Sequence, residues 1–314
     1  MLRIRFLNVG DGDAILVEDI TASSVYRMLI DTGRYLPAEP APSAICVDHL
    51  KRLRISHIDK LVITHLHADH AGGLEPLMSE VVIDEIVSGY IPLNVGAQIP
   101  WDASADKSIR GMVACVNQWS KDVNRLRSFG CRTTELYASW RSVRLTDRLT
   151  ADFIVPDLRG LRLQREVWNR MLEPRPVSAG QKARASKLRN PNSLRIRLHY
   201  AGREIELSGD CYASEWENAD VAPCDIFKVP HHGDDKAVTD ALLARLRPAH
   251  AVISCSRFYQ PAKDRPSADT IAQLRRIGAQ VWFTDEFADG IQPPRSWASV
   301  DFDIHEDGRI IPPV

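Results

Sequence analysis

The sequence predicts an α/β (α+β) fold in which short strands alternate with turns and amphipathic helices. Short apolar runs bounded by Gly, Asp and Ser recur along the chain, and one long stretch carries apolar residues three and four positions apart. With 314 residues, of which 44% are hydrophobic, the chain can bury one large core or two modest ones. No internal repeat interrupts this pattern, so we expect a single domain over residues 1–314.

The amino-terminal part of the chain predicts a meander of strands. Strands are expected at 3–9, 14–18 and 25–30, separated by turns rich in Gly, Asp and Ser. A fourth strand at 61–64 runs into a cluster of histidines, and a helix is expected to begin within 71–74. The histidine cluster is therefore placed on a strand-to-helix loop.

The rest of the chain predicts one long helix and a second set of strands. Apolar residues recur at helical spacing from 106 to 129, which indicates an amphipathic helix inside a less typical helical insertion at about 90–150. Further strands are expected at 149–155, 194–200, 204–208, 226–229 and 251–254, and further helices at 240–246 and 268–277. Between 161 and 188 the pattern gives way to Arg, Pro, Ser and Gly, which predicts a long basic loop extending to about 190.

Composition argues against several classes of protein. The six cysteines contain no CxxC pair, so they are interpreted as reduced thiols rather than a disulfide framework or zinc ribbon. The formal net charge of −1 gives no global field for nucleic acid or membranes. The chain opens in a strand-like pattern rather than a secretion signal, and no run is long enough to span a bilayer. The expected location is the cytoplasm, with no membrane partner.

The sequence THLHADH at 64–70 concentrates metal-ligand side chains on one loop. His65 and His67 alternate along an extended segment and so face the same side, while Asp69 and His70 follow one turn later. Imidazole nitrogens and carboxylate oxygens suit borderline-soft divalent ions, and one loop can serve two of them. The alternative is a histidine-rich surface turn, but four ligand-type residues after a buried strand favour the metal site.

Three other strand ends carry the further side chains that a two-metal site requires. Asp31 ends a strand in IDTG, where a carboxylate is suited to orient a ligating histidine. Asp210 ends another strand in SGD, where it can bridge two ions, and PHHG places His231 and His232 after a third strand. Each motif alone is typical of an ordinary turn. Together and in this order they indicate a dinuclear centre.

The ordered set IDTG, THLHADH, SGD and PHHG resembles the metallo-β-lactamase-fold hydrolases. That resemblance implies an αββα sandwich, two β-sheets flanked by helices, with the metal site at one edge between the sheets. A closer resemblance is to the soluble metallo-β-lactamase-like domain of ComEC-type competence proteins, carried by FLNVGDGDAILVE, THLHADHAGGL, NPNSLRIRLHYAGREIELSGD, DIFKVPHHGD and AVISCS. It extends from about residue 3 to about residue 292 and implies a free-standing relative without a membrane part.

Carried over residue by residue, the resemblance implies a ligand set for two divalent ions, Zn²⁺ by preference and Mn²⁺ as the alternative. His65 and His67 would bind one ion, Asp69 and His70 the other, and Asp210 would bridge them. One of His231 and His232 would complete the second ion, while the other would face substrate as a phosphate contact or proton donor. Asp69 would also orient the attacking water.

Positions around the ligands suggest an open, catalytic site with altered substrate contacts. Asn190 and Ser193 occupy the region where many members of the fold have another histidine ligand, which implies an open position on the first ion. Compared with the ComEC-type pattern, Asp234 replaces a serine and Arg265 replaces a histidine. Arg265 can clamp a phosphate through two hydrogen bonds, but it cannot shuttle a proton.

The favoured function is a phosphodiesterase or nuclease acting on DNA or RNA. The stretch from 181 to 203 is basic and contains no acidic residue, so Lys187 and Arg189 are candidate phosphate contacts. A basic stretch is as often a solvated face. Three alternatives stay open: a small phosphodiester such as a cyclic nucleotide or phosphocholine-type ester, a lactone or thioester, and an effector subunit that depends on a protein partner in a multi-gene system. The sequence leaves the oligomeric state undetermined.

Overall fold

The computed structural model describes residues 1–35, 45–173, 175–216, 219, 221–256, 265–285 and 299–313. Its strands are β1 (Leu2–Leu7), β2 (Ile15–Ile20), β3 (Val25–Ile30), β4 (His57–Ile63), β5 (Val82–Ser88), β6 (Arg132–Glu135), β7 (Trp140–Arg144), β8 (Leu149–Ile154), β9 (Arg195–Tyr200), β10 (Arg203–Leu207), β11 (Ile226–Lys228), β12 (His250–Ile253), β13 (Gln280–Phe283), β14 (Ser299–Ile304) and β15 (Ile310–Ile311). Its α-helices are α1 (Cys46–Arg52), α2 (Ala68–Ala71), α3 (Leu74–Met78), α4 (Lys107–Ser128), α5 (Leu158–Leu172), α6 (Ala179–Lys187), α7 (Ala213–Trp216), α8 (Asp240–Leu246) and α9 (Ala268–Arg276).

These strands form two mixed sheets. Within the described residues, the first sheet has eight strands in the order β15-β14-β1-β2-β3-β4-β5-β6, and the second has seven in the order β13-β12-β11-β10-β9-β8-β7. β3 and β4 run parallel in the first sheet, and β10 and β11 run parallel in the second. Because neighbouring parallel strands end at the same edge of a sheet, the loops that follow each pair start close together.

Alternation along the strands produces a core between the sheets. In β1, Leu2, Ile4 and Phe6 are buried and belong to a cluster that also includes Phe153 and Ile196 of the second sheet. A period of two residues places such side chains on one face of a strand. A second cluster packs α1, α3, α4 and α5 against the outer face of the first sheet, and a third packs α8 and α9 against the second. The layers are therefore helix, sheet, sheet and helix, and the predicted fold class is confirmed.

Most of the predicted elements occur within one or two residues of their predicted bounds. The helix predicted from 106 to 129 is α4, and the Asp106 side chain caps it by accepting a hydrogen bond from the Ile109 amide at 2.9 Å. The segment at about 90–150 is not only helical, however, because β6 extends the first sheet and β7 the second. None of the helices in the described part of the chain is long and apolar enough to cross a membrane.

The loop predicted at about 161–190 is wrong. That segment forms α5 and α6, and α5 buries Val167, Trp168 and Met171 against the first helical layer. Ser178 begins α6 with a reciprocal capping box to Gln181. The arginines of this segment obscured an apolar stripe at helical spacing, and tertiary packing of that stripe stabilises the helix.

Candidate metal centre

Loops that follow β3, β4, β10 and β11 converge at one edge between the sheets. Asp31 follows β3, the loop from 64 to 70 follows β4, Asp210 follows β10, and the histidine pair at 231–232 follows β11. Two groups of possible metal ligands result, each with donor atoms within 4.8 Å of one another. One group contains His65, His67 and Asp210, and the other contains Asp69, His70, Asp210 and His232. Asp210 belongs to both groups, as a bridging carboxylate must.

Apart from one short contact between His65 and His67, the polar atoms of the cluster lie 3.3 Å or more apart, farther than in a strong hydrogen bond. Nε2 of His65 lies 2.8 Å from Nδ1 of His67 and 3.8 Å from Asp210 Oδ2. Nε2 of His70 lies 3.3 Å from Asp210 Oδ1, and Nε2 of His232 lies 3.5 Å from Asp69 Oδ2. Among the described residues, the buried atoms His70 Nε2, His232 Nε2 and Asp210 Oδ1 have no well-directed hydrogen bond. Buried polar atoms normally have hydrogen-bond partners, so three unpartnered ligand atoms that point to the same place fit a site for divalent ions.

A surrounding set of hydrogen bonds aims the imidazole rings. Nδ1 of His70 lies 2.7 Å from Asp31 Oδ2, and Nδ1 of His232 lies 3.1 Å from the Ser254 carbonyl oxygen. Since both partners only accept, each Nδ1 carries a proton, and in the neutral ring the lone pair of each Nε2 is directed at the centre. Ser193 Oγ lies 3.2 Å from His65 Nδ1 and accepts from the Asp210 amide at 3.0 Å.

The electrostatics of the cluster divide its two halves. Burial and the neighbouring histidines lower the pKa of His65 well below its ordinary value. Burial and the charge of Arg189 lower the pKa of His67 to about 4. Burial also opposes charge on His232, but Asp210 and other carboxylates outweigh it and raise the pKa to about 9. The first pair is therefore neutral at physiological pH, whereas the carboxylate-rich group retains protons in the absence of ions.

The backbone decides which histidine of the pair enters the centre. His231 (φ 50°, ψ 40°) and His232 (φ 57°, ψ 24°) are both left-handed, a conformation that costs non-glycine residues about 1–3 kcal/mol each. His232 points to Asp69 and Asp210, whereas His231 belongs to neither ligand group. His231 is thus excluded from the ligands by this geometry.

His231 instead joins the two positions that depart from the ComEC-type pattern. Its Nδ1 lies 2.5 Å from Asp234 Oδ2, and Arg265 donates from Nη2 to its Nε2 at 2.7 Å. The Tyr212 ring meets His231 edge to face, with centroids 4.9 Å apart. Asn190 donates to the Tyr212 hydroxyl at 3.2 Å rather than to a ligand. Asn190 and Arg265 therefore lie on one chain of contacts beside the centre.

The basic stretch contributes one side chain to the neighbourhood of the ligands. Arg189 is partly buried, donates from Nε to the Ser186 carbonyl at 3.2 Å, and lies close enough to affect the pKa of His67. Lys187 is exposed at the end of α6. Arg195 and Arg197 are buried and pair with Glu206, so they are not available to a ligand.

The sequence interpretation missed two residues behind the centre, Asp13 and Lys228. They form a fully buried ion pair, and Asp13 Oδ2 lies 3.7 Å from His70 Nδ1. Asp13 follows Gly12 at the start of a strand and so resembled an ordinary turn residue. Lys228 stands in the otherwise apolar run Ile226-Phe227-Lys228-Val229, and a lysine in a buried strand was the available signal.

Residues 7–157 match the sequence profile described as "Metallo-beta-lactamase superfamily". The fold is the metallo-beta-lactamase fold. The matched residues are just under half of the chain, so the profile shows similarity to that superfamily over this part of the sequence. The fold and the buried His/Asp cluster indicate a metal-dependent hydrolase.

Comparison with solved structures gives distant similarities. The metallo-beta-lactamase fold protein YhfI from Bacillus subtilis is 10% identical, with a TM-score of 0.47 over 90% of this chain and 96% of that one. Zn²⁺-bound PqqB from Methylobacterium extorquens is 9% identical, with a TM-score of 0.46 over 97% of this chain and 100% of that one. A diphosphatase of the PhnP family is 13% identical, with a TM-score of 0.42 over 94% and 85%. No curated protein sequence matches the chain.

Proposed function

We propose that this protein is a two-metal phosphodiesterase that cleaves nucleic acid, and that it is a relative of the ComEC-type domain. The observation that carries the proposal is the pair of ligand groups sharing Asp210, with Arg189 and Arg265 beside them. His65, His67 and Asp210 would hold one ion, and Asp69, His70, Asp210 and His232 the other. Zn²⁺ suits this His/Asp mixture best, and Mn²⁺ is compatible.

When bound, two divalent ions supply Lewis-acid activation of water and of a phosphoryl oxygen. The protein's own part is to keep their ligands correctly oriented. Asp69 has the most accessible carboxylate of the second group, with its side chain 23% exposed against 2% for Asp210. Asp69 is therefore the carboxylate that can also accept a hydrogen bond from an attacking water molecule and so direct the lone pair of the water oxygen toward the substrate.

The two arginines supply the phosphate contacts in this proposal. The contacts of Arg189 are with Ser186 and Cys115, and none of the described carboxylates forms an ion pair with it. Burial lowers the pKa of Arg189, but the guanidinium remains charged and available to an anion. Arg265 donates a hydrogen bond to His231 beside the ligand groups, and its side chain is 18% exposed. A guanidinium binds a phosphodiester through parallel hydrogen bonds.

Direct assay of the metal-loaded protein tests the proposal. Protein loaded with Mn²⁺ or Zn²⁺ should cleave single- or double-stranded DNA or RNA at low salt, and His67→Ala or Asp210→Ala should abolish cleavage. Arg189→Ala should lower kcat/KM by about 10- to 100-fold, the value of a lost charge-assisted hydrogen bond. Arg184→Ala is the matched control, because Arg184 is an exposed arginine on α6.

Other outcomes would redirect the assignment. Hydrolysis of bis-(p-nitrophenyl) phosphate, a cyclic nucleotide or a lactone, with DNA and RNA left intact, would reject nucleic acid as substrate. Absence of turnover by the metal-loaded protein, together with stable co-purification of another subunit, would favour the partner-dependent effector.

A further inference from the structure

We infer that Asp13, Asp31 and His70 form a third cation position behind the metal centre, and that the ammonium group of Lys228 keeps divalent ions out of it. The inference rests on the proposed two-metal site and concerns how ions are kept in it. Ligand atoms of these three residues lie within 4.8 Å of one another, so they have the composition and spacing of a metal site. All three side chains are buried, at 1% exposure or less.

This rear position competes with the front one for the same imidazole. Asp31 Oδ2 lies 2.7 Å and Asp13 Oδ2 lies 3.7 Å from His70 Nδ1, the ring nitrogen that faces away from Asp210. An ion bound to Nδ1 would displace the proton that Nδ1 shares with Asp31. A neutral imidazole that binds an ion through Nδ1 carries its one proton on Nε2, so His70 would be lost as a ligand to the front ion. Occupation of the rear position is therefore incompatible with the arrangement proposed for catalysis.

Lys228 occupies this position with a charge of its own. Its Nζ forms an ion pair with Oδ2 of Asp13, the same oxygen that faces His70 Nδ1. Nζ also donates to the Gly209 carbonyl oxygen at 3.1 Å, which ties it to the turn that carries Asp210. The Lys228 side chain has no exposed surface, so its position is set by these contacts and by packing.

A role in packing alone explains this arrangement poorly. Lys228 ends β11 in the second sheet, and Asp13 lies between β1 and β2 of the first, so an apolar pair would join the sheets equally well. A buried ion pair is weak evidence for stability, because desolvation offsets much of the attraction. The Asp13 carboxylate faces Nδ1 of His70, and the fixed ammonium of Lys228 neutralises it there. This arrangement is the one required to keep a divalent ion out of the rear position.

Metal binding and electron paramagnetic resonance of the Mn²⁺-loaded full chain test the inference. Wild-type protein should bind two Mn²⁺ ions that share Asp210 and give a spin-coupled spectrum. Lys228→Met should give an uncoupled Mn²⁺ signal, with the affinity of the front position lowered by about 10- to 100-fold, the usual effect of disturbing a group behind a ligand. Adding Asp13→Asn to that variant removes the rear ligand and should restore the coupled spectrum. A purely structural role for Lys228 predicts no recovery of coupling.

The possible outcomes separate the role of Lys228 from the existence of the two-metal site. An unchanged coupled spectrum and unchanged affinity in Lys228→Met would overturn the inference and leave the two-metal site intact. Failure of the wild-type protein to bind a coupled pair would instead refute the proposed function. If Lys228→Met does not fold, Lys228→Gln retains a donor for the Gly209 carbonyl while removing the charge, and the same comparison applies to it.

Discussion

Asp31→Asn tests whether the carboxylate behind His70 sets metal affinity. Asp31 is buried and left-handed, with φ of 58°. Asparagine is among the few non-glycine residues that tolerate this conformation, so the backbone should be retained. The substitution therefore changes the chemistry of one group without removing its volume.

The expected magnitude follows from the hydrogen bonds that Asp31 accepts. Its Oδ1 accepts from the Thr64 amide at 2.8 Å, and its Oδ2 accepts from the Thr64 hydroxyl at 2.7 Å and lies 2.7 Å from His70 Nδ1. An amide has one accepting oxygen, so at least one buried donor loses its acceptor, at a cost of about 1–3 kcal/mol. With the amide nitrogen facing His70, the imidazole must move its proton to Nε2. Affinity for the second ion should fall by about 10- to 100-fold.

Competition with a chromophoric chelator, using Zn²⁺ and ion-free protein, measures this effect. Asp147→Asn serves as the control, because the Asp147 side chain is 92% exposed and remote in sequence from every ligand. Affinity for the ion held by His65 and His67 should change less than affinity for the other. Two ions bound by Asp31→Asn with wild-type affinity and unchanged thermal stability would refute the role given to Asp31.

Burial opposes charge on His232, but Asp210 and other carboxylates outweigh it and raise its pKa to about 9, so Zn²⁺ binding at pH 7 should release protons and Zn²⁺ affinity should rise with pH toward 9. Calorimetry in buffers of different ionisation enthalpy measures the released protons. Equal binding heats in all buffers would contradict the prediction. Burial raises the pKa of Glu85, but hydrogen bonds from neighbouring strands lower it from 4.5 to about 2, so the stability that the ionised carboxylate contributes is present above pH 4.5 and lost toward pH 2. Glu85→Gln should therefore lower the free energy of unfolding in urea at pH 7 by about 1–3 kcal/mol and match the wild type near pH 2. A difference that stays constant with pH would exclude the ionised carboxylate as the cause. A Cβ on Gly12 would lie 2.5 Å from the Asp69 carbonyl oxygen, so Gly12→Ala should displace the ligand loop and weaken Zn²⁺ binding in chelator competition, and unchanged affinity would show that the loop tolerates the shift.

What could be predicted from the sequence was largely local. The loop from 64 to 70 carries four ligand-type side chains, and Asp31 and Asp210 each follow directly on a strand that the sequence predicts. The helix α4 was equally predictable, because its apolar residues recur at helical spacing over 22 residues. These features depend on spacing along a short segment, which the sequence displays directly.

What could not be predicted depends on contacts between distant segments. The choice of His232 over His231 follows from two consecutive left-handed residues, and the contact of the His231 amide with the Gly209 carbonyl at 3.3 Å belongs to the tertiary structure. The pairing of Asp13 with Lys228 joins the two sheets. The residue pattern around Asp13 or around Lys228 does not indicate that the two side chains pair with each other.

The division of ligands between the sheets also orders the events of synthesis. His65, His67, Asp69 and His70 emerge from the ribosome in the first quarter of the chain, whereas the shared carboxylate and His232 follow only after most of the second sheet. A nascent amino-terminal half therefore offers an ion half a coordination shell. A complete set of ligands requires both sheets to be in place, so metal binding should be coupled to the docking of the second sheet on the first.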